Sequence, residues 1–553
     1  MFVPVPTPEE MDRWDAASIT FGFSEETLME RASLAAMDCL RAAASEKGIP
    51  LSGSSVLLLA GGGNNGGDAF CMARHLLEAG AKPVLLCTRS RESYRAAAAL
   101  WLDIAVRLGI PVFSADEWNK EHPAIPLFPD IVVDGLLGTG FQGPLRAKES
   151  LLIEKLNALH AGLVISIDIP SGLDACTGRP SPVAVHADVT VSFQAAKPGL
   201  ILPEARIYTG SLDIRPIGIP RSIQEKYPPS FRTWLCPVPR KKDRGEAYGI
   251  NPEMDHEDCC NSSIPLSRGP AHKGAAGKVI VIGGSPEYTG APCLSALAAL
   301  RAGAGLVALA GPEKVLDAAR ISMPALVTRS ISGKKAESSW CADAAYSLAG
   351  FLPSFGAIVF GPGLGRDQGA CDFARALLSL PHRPPMVLDA DALFALAQNP
   401  ELFSHLRPCD ILTPHPGEAA TLLKAETAAV QQDRFAALHH LAELAPAVWI
   451  LKGEGTLISS PQMPSVISPW RVPQLAVAGS GDVLAGIIGT MLCHKHTADL
   501  AATLGVWIHA LAGRALAHDF PCRGNSPLDI ANILPRILKL AGEPHGEELC
   551  PSF

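Results

Sequence analysis

Apolar residues along this chain recur in two rhythms. Short continuous runs appear at Ser55–Ala60, Pro83–Cys87, Asp130–Asp134, Leu163–Asp168 and Asp188–Phe193, and again at Lys278–Ile282, Ala357–Phe360, Met386–Leu388, Asp410–Leu412 and Val448–Leu451. Runs this short, without polar alternation, are the pattern of parallel strands buried on both faces. Between them lie stretches of helical spacing. Thr7-Pro8-Glu9-Glu10 reads as a helix start, with Thr7 as cap, Pro8 at the first position and Glu10 at the third. Further helices are expected from Ala69 to Ala79 and over the small-residue run Ala291–Ala304. Strand and helix alternate, which predicts an α/β fold. From Tyr227 the periodicity dissolves among prolines, a basic run at Arg240–Arg244 and an acidic one at Asp255–Asp258. We therefore divide the chain into a domain at 1–225, a linker or insertion at 226–267 and a second domain at 268–540.

Polar residues gather just past these strands, where α/β sheets place their binding groups. Ser55–Ala60 runs into Gly61-Gly62-Gly63-Asn64-Asn65-Gly66-Gly67-Asp68, a strand, glycine-rich loop and helix of the kind that cradles phosphate. It satisfies GxGxxG, but the next strand ends in Thr88-Arg89 rather than the acid that holds a ribose. Asp134 then precedes Gly138-Thr139-Gly140, and Asp168 precedes Pro170-Ser171-Gly172. Oxygen donors from Asn65, Asp134 and Ser171 could surround a hard cation, or each acid could only cap a turn. In the second half the successive strand ends carry GGS at 283–285, GPGLG at 361–365, DAD at 389–391, TPHPGE at 413–418 and LKGEGT at 451–456.

The stretch Leu475–Gly486, LAVAGSGDVLAG, completes that second set. Gly479-Ser480-Gly481 opens a helix, leaving backbone N–H groups unpaired and aimed at one point, with Asp482 in the first turn. An anion pocket beside a carboxylate suits phosphoryl transfer to a hydroxyl. The alternative is a glycine-rich helix start that Asp482 merely caps. No GxxxxGK[ST] occurs, so an ordinary P-loop kinase is not expected.

Composition narrows the partners. At 553 residues the chain exceeds one ordinary domain, and 48% hydrophobic against 18% charged residues leaves little room for dominant disordered tails. A net charge of −8 leaves no basic footprint for nucleic acid. The 14 cysteines show no CxxC pair, which fits a reducing, cytoplasmic setting. Cys259-Cys260 beside His256, Glu257 and Asp258 is a weak metal candidate, and His439, His440, His494 and His496 read as solvated or helix-face residues. The apolar window around Leu475–Cys493 contains Asp482 and reads as a buried helix, not a membrane span, and the amino terminus lacks a signal-peptide pattern.

The ordered motifs GGGNNGGD, DGLLGTGFQGPLR, SIDIPSGLDACTG and ADVTVSFQAAKPGL resemble the NAD(P)H-hydrate epimerase family, the YjeF N-terminal type, over about Thr7–Ile219. Ala69 stands where that family usually has a glycine. The resemblance implies a Rossmann-like three-layer sandwich that inverts the hydrated carbon of damaged NADH or NADPH. Asp168 would be the acid/base residue and Lys197 its assistant. Asn64, Asn65, Gly66, Gly67, Asp68, Gly138, Thr139, Gly140, Phe141, Gln142, Gly143 and Pro144 would hold the dinucleotide. Asn65, Asp134 and Ser171 would hold potassium.

From about Arg268 to Pro535, the order HKG, GGS, GPGLG, DADAL, TPHPGE, LKGEGT, AGSGDVLAG resembles the NAD(P)H-hydrate dehydratase family, with its ribokinase-like fold. Arg471-Val472-Pro473-Gln474 replaces that family's usual Asn-Pro-type segment. The resemblance implies that a nucleotide phosphorylates the hydrate's hydroxyl and that loss of phosphate restores the nicotinamide ring. Asp482 would be the base; Ala291, Gly363, Gly365 and His415 would contact the hydrate; Lys452, Gly453, Glu454, Gly455, Thr456 and Gly481 would contact the nucleotide. The fused arrangement implies ADP as donor, with Mg2+ as its partner. The expected partners are NADHX, NADPHX and ADP, with no nucleic acid and no membrane, in a homo-oligomer. The rival readings are a dinucleotide oxidoreductase, exposed by hydride transfer, a small-molecule kinase, exposed by a stable phosphorylated product, and a binding protein, against which Asp168 and Asp482 argue.

Overall fold

The computed structural model describes residues 2–118, 125–141, 143–234, 248–250, 276–331 and 340–542. The chain divides into two compact units, Met1–Met254 and Asp255–Phe553.

The strands of the first unit are β1 Phe2–Val5, β2 Ser55–Ala60, β3 Lys82–Cys87, β4 Val112–Ser114, β5 Ile131–Gly135, β6 Leu163–Ile167, β7 Val189–Phe193, β8 Ser211–Arg215, β9 Phe231–Trp234 and β10 Tyr248–Ile250. Its sheet has the order β10-β8-β7-β6-β5-β2-β3-β4. The ladders from β8 to β4 are parallel, and β10 joins antiparallel at the edge. β1 and β9 pair antiparallel with each other. Thus β9 and β10 arise within the stretch read as a linker, whose 235–247 and 251–267 lie outside the described residues, as do Cys259 and Cys260. Val56, Leu58 and Ala60 feed one buried cluster, Leu57 and Leu59 another. Burial on both faces is why β2 is a continuous apolar run.

The second unit has β11 Lys278–Ile282, β12 Leu306–Gly311, β13 Val327–Ser330, β14 Ala357–Phe360, β15 Met386–Leu388, β16 Ile411–Leu412, β17 Val448–Leu451, β18 Leu457–Ser459 and β19 Ser465–Ile467. They run in the order β19-β18-β17-β16-β15-β14-β11-β12-β13. β13 to β17 are parallel in their ladders; β18 and β19 fold back antiparallel. The helices Gly290–Arg301 and Ser480–Cys493 pack together, and a Cβ on Gly486 would lie 2.2 Å from the Ser295 carbonyl oxygen, so only glycine allows that approach.

In both sheets the strand order reverses beside the first long strand. β3 lies to one side of β2 and β5 to the other; β12 lies to one side of β11 and β14 to the other. A crevice opens at the carboxyl ends of strands at such a switch point. Among the described residues, no helix is long and apolar enough to cross a membrane.

Candidate active sites

In the first unit, the carboxyl ends of β2, β5 and β6 open into a cavity of about 650 Å³. The glycine-rich segment behind β2 is more helical than the sequence suggested: the helix begins at Asn64, not at Ala69, and runs to Glu78. Gly66 and Gly67 therefore serve packing. A Cβ on Gly66 would lie 2.0 Å from the Gly61 carbonyl oxygen, and one on Gly67 would lie 2.6 Å from Met29 Cε. Gly63, Asn64, Asn65 and Asp68 line the cavity, as do Gly138, Thr139, Gly140, Phe141 and Pro144. The Gly143 carbonyl accepts a 3.3 Å hydrogen bond from Ser181 Oγ, and Gln142 lies outside the described residues.

Asp168 follows β6 with φ of 64°, a left-handed conformation rare for a side chain other than glycine's. Strain of this kind is held by surrounding structure and concentrates at functional sites. Its amide donates to the Val191 carbonyl at 2.7 Å, while its Oδ2 accepts from the Thr139 amide at 3.4 Å. Its Oδ1 is ion-paired with Lys197, an ammonium group 1% exposed that also donates to Ser192 Oγ at 3.0 Å. Burial pushes the Asp68 carboxyl well above the ordinary range, helped by the charges of Asp168 and Asp15.

The three oxygen residues meet. Asp134 is fully buried; its Oδ1 accepts from Ser171 Oγ at 2.5 Å, and its Oδ2 accepts from Ser166 Oγ and the Ser171 amide, both at 2.8 Å. Asn65 Nδ2 donates to the Leu137 carbonyl at 2.8 Å, and Ser171 Oγ accepts from the Leu137 amide at 2.8 Å. Asn65 Oδ1 is buried without a hydrogen-bond partner. A lone buried acceptor beside a carbonyl, a hydroxyl and a buried carboxylate suits a hard monovalent cation.

The helix Pro8–Phe21 also faces this cavity, through Met11, Asp12, Asp15 and Ile19. Its start is the expected capping box, the Thr7 side chain accepting from the Glu10 amide at 3.3 Å and Glu10 Oε2 from the Thr7 amide at 2.9 Å. The sequence reading stopped at that cap and assigned no role to Asp12 or Asp15. The available signal was a pair of acids on one face of a helix whose other residues there are apolar.

In the second unit, Gly479 caps the helix Ser480–Cys493 with φ of 91°, and no side chain caps its first amides. Asp482 stands in the first turn. Burial and the neighbouring charges of Asp389, Asp391 and Glu418 push its carboxyl up to about 8, against the pull of Lys452. Lys452, at the end of β17, donates to Asp389 Oδ1 at 2.8 Å and stands 3.8 Å from Glu418 Oε2. A Cβ on Gly481 would lie 3.3 Å from Lys452 Nζ, so the helix start abuts this ammonium group. Lys452 thus belongs with Asp482, whereas Gly453 and Glu454 lie against Arg434, which donates to the carbonyls of Leu451, Lys452 and Glu454. Ser480 Oγ shares a 3.1 Å hydrogen bond with buried His509, whose pKa burial lowers to about 4.

His415 caps the helix Pro416–Leu423, its Nδ1 accepting from the amides of Gly417 at 3.0 Å and Glu418 at 3.3 Å. Burial and then Lys452 hold its pKa below the ordinary value. Gly363 and Gly365 have φ of 61° and 95°. A Cβ on Gly363 would lie 3.4 Å from Ala291 Cβ, which puts Ala291 and this loop together. Asp391 fixes the loop, accepting from the Gly365 amide at 3.0 Å and Arg366 Nε at 2.8 Å. Arg471 Nε pairs with Glu454 Oε1 at 3.2 Å. Asp389, Asp391, Glu418 and His509 were not assigned roles from sequence, although the first three lie in motifs already singled out.

A family model described as NAD(P)H-hydrate dehydratase matches residues 279–536, and one described as YjeF-related protein N-terminus matches residues 25–199. The bifunctional NAD(P)H-hydrate repair enzyme of Moorella thermoacetica is 33% identical over 536 residues, covering 96% of each chain. That of Escherichia coli is 32% identical over 475 residues, covering 86% of this chain and 83% of the relative. Among solved structures, an ADP/ATP-dependent NAD(P)H-hydrate dehydratase from Bacillus subtilis, co-crystallised with ATP/Mg2+, aligns with a TM-score of 0.44 at 26% identity, covering 51% of this chain and 96% of that one.

Proposed function

This chain belongs to the family of bifunctional NAD(P)H-hydrate repair enzymes, and from that premise we propose a two-step repair of hydrated NADH and NADPH. The first unit interconverts the R and S hydrates; the second dehydrates the S form with ADP, giving NAD(P)H, AMP and phosphate. The observation that carries the reading is Asp482, a half-buried carboxyl with a raised pKa in the first turn of a helix whose leading amides have no side-chain cap.

Dehydration needs a poor leaving group converted into a good one. The amides of Gly479 to Gly481 and the Lys452 ammonium favour phosphoryl charge at the helix start. Asp482, once ionised, takes the proton of the hydrate's hydroxyl as its oxygen bonds to phosphorus. Phosphate then departs from the ring carbon with its bonding electron pair, the neighbouring ring carbon gives up a proton to solvent, and the ring C=C bond closes. His415, Gly363, Gly365 and Ala291 bound the hydrate's side of the crevice. Magnesium, a partner of nucleotide phosphates, takes oxygen ligands of the kind Asp389 and Glu418 offer.

In the first unit Asp168, held by Lys197 and the Thr139 amide, moves a proton to or from the oxygen on the hydrated carbon. Asn65, Ser171 and the Leu137 carbonyl would hold potassium, with Asp134 supplying negative charge; the unpartnered Asn65 Oδ1 supports this. The cation there would counter the dinucleotide's phosphates.

The test is chromatography of hydrated NADPH epimers incubated with the full chain. Without nucleotide the two epimers should equilibrate; with ADP both should disappear into NADPH. A higher kcat/KM with ATP than with ADP overturns the donor assignment. A stable phosphorylated product would instead favour a kinase.

A further inference from the structure

Inversion at the hydrated carbon needs two proton-handling groups, one for each face of the ring, and Asp168 alone supplies one. Asp15 lies on the helix face of Met11 and Ile19, its i−4 and i+4 neighbours, which line the same cavity. That helix is pinned: the buried Trp14 Nε1 donates to the Tyr227 carbonyl at 2.8 Å, and Glu10 Oε1 accepts from the Ser230 amide at 3.0 Å. Asp15 Oδ1 is buried without a hydrogen-bond partner. An unsatisfied buried carboxyl oxygen costs stability that a neutral apolar residue would not, so its presence on a wall of the cavity asks for a ligand.

We propose that Asp15 is the second acid/base residue of the epimerase site, acting on the ring face opposite Asp168. This rests on the epimerase reading of the first unit. The hydroxyl of the substrate sits on the carbon next to the ring nitrogen. Asp15 gives its proton to that hydroxyl, the carbon–oxygen bond breaks, water leaves, and the nitrogen lone pair closes a C=N bond. A water molecule adds to the other face, a new carbon–oxygen bond forms, and its proton passes to Asp168 as the electron pair returns to nitrogen. The enzyme ends with Asp15 ionised and Asp168 protonated, the starting state for the reverse reaction, and solvent resets it. The charges around Asp15 suit the donor role. Burial raises its carboxyl to about 7, the charges of Asp168 and Asp12 add to the rise, and Lys197 opposes it. Glu25, Asp68 and Glu149 also line this cavity, as do the cations Arg89 and Arg146.

The competent enzyme therefore carries one proton on the pair. Because the equilibrium between two epimers of equal charge does not vary with pH, kcat/KM must follow the same bell in both directions. The experiment measures epimerisation by the full chain from each pure hydrated NADPH epimer, without nucleotide, across pH 5–9. We expect kcat/KM to fall about tenfold per unit above pH 7 in both directions. Asp15→Asn should lose about 10²–10⁴-fold in kcat both ways while keeping its affinity for hydrated NADPH, and Asp15→Glu should regain part. Wild-type activity that is flat to pH 9, or Asp15→Asn within threefold of wild type, overturns the proposal. Lost affinity in Asp15→Asn with unchanged kcat assigns Asp15 to binding and overturns it too. A wild-type chain that does not epimerise at all overturns the epimerase reading itself, a different failure.

Discussion

Asp482→Asn keeps the shape of the helix start and removes the one group that can take the hydrate's proton. In the folded protein its carboxyl is raised from 3.8 to about 8, roughly four units, which corresponds to about 5–6 kcal/mol against ionisation. Burial is the largest cause, followed by Asp389; Lys452 opposes, and Asp391 and Glu418 add to the rise. At pH 7 only about a tenth of the molecules would then carry the base, so wild-type kcat/KM should climb about tenfold per unit up to about pH 8 and level off. The Asn variant should lose dehydration by orders of magnitude and lose this climb with it. Stability should move the other way. A carboxyl with a raised folded pKa contributes its full stability below 3.8 and loses it as pH rises through about 8. Asn carries no such loss, so the variant should outlast wild type at pH 9, with the gap closing towards pH 4. Hydrogen exchange across the helix Ser480–Cys493 reads the gap. A gap that is the same at pH 5 and pH 9, or full activity in Asp482→Asn, refutes the reasoning.

Asp168→Asn should lose about 10²–10⁴-fold in epimerisation, while dehydration of pure S hydrate by the second unit stays unchanged; equal losses in both assays would count against two separate sites. Asn65→Leu should weaken potassium binding and dinucleotide affinity together, read by calorimetry in potassium against tetramethylammonium buffer; equal affinity in both buffers for wild type defeats the cation. His509→Phe keeps the volume but releases Ser480 Oγ, a neutral hydrogen bond of about 1 kcal/mol, so dehydration should slow about fivefold with thermal stability nearly kept.

Much of the framework was legible because buried parallel strands are written as unbroken apolar runs. β2, β11, β14, β15 and β17 fall on the residues read from the sequence, and the others read lie within a residue or two. β12 and β13 were missed: Leu306–Gly311 follows the small-residue run Ala291–Ala304 and itself contains alanines, which suit a helix, and Val327–Ser330 is a mostly exposed edge. β18 follows a glycine-rich loop, β19 a proline-containing turn, and each is only three residues. The sites were legible where polar residues stand just past a strand. Chain direction sorts the acids. Asp130 and Asp410 look like Asp168 in the string, yet they sit before their strands and are structural. Asp130 Oδ2 accepts from the Ser55 amide at 2.8 Å, and Asp410 is clamped by Arg383 at 2.9 and 2.8 Å. Which end of a strand an acid occupies decides whether it faces a neighbouring strand or the crevice.

The two units reach similar electrostatics from unrelated elements. In each, a lysine is bound to one carboxylate at a strand end, buried Lys197 to Asp168 and half-buried Lys452 to Asp389. A single ammonium group cannot serve a second acid equally, because each added negative charge in a poorly hydrated pocket raises the cost of the next. Burial, with the remaining carboxylates adding to it and the lysine opposing only in part, therefore holds a proton near neutrality on a neighbouring acid: Asp15 at about 7 in the first unit, Asp482 at about 8 in the second. A leftover proton is a donor if the substrate's oxygen needs one, and its loss makes a base if the oxygen must give one up. Replacing Lys197 or Lys452 by methionine, which keeps bulk and removes the charge, should move the neighbouring acid's pKa further up. The pH limb of the corresponding reaction should shift with it, and a limb that stays in place would sever the lysine from the acid.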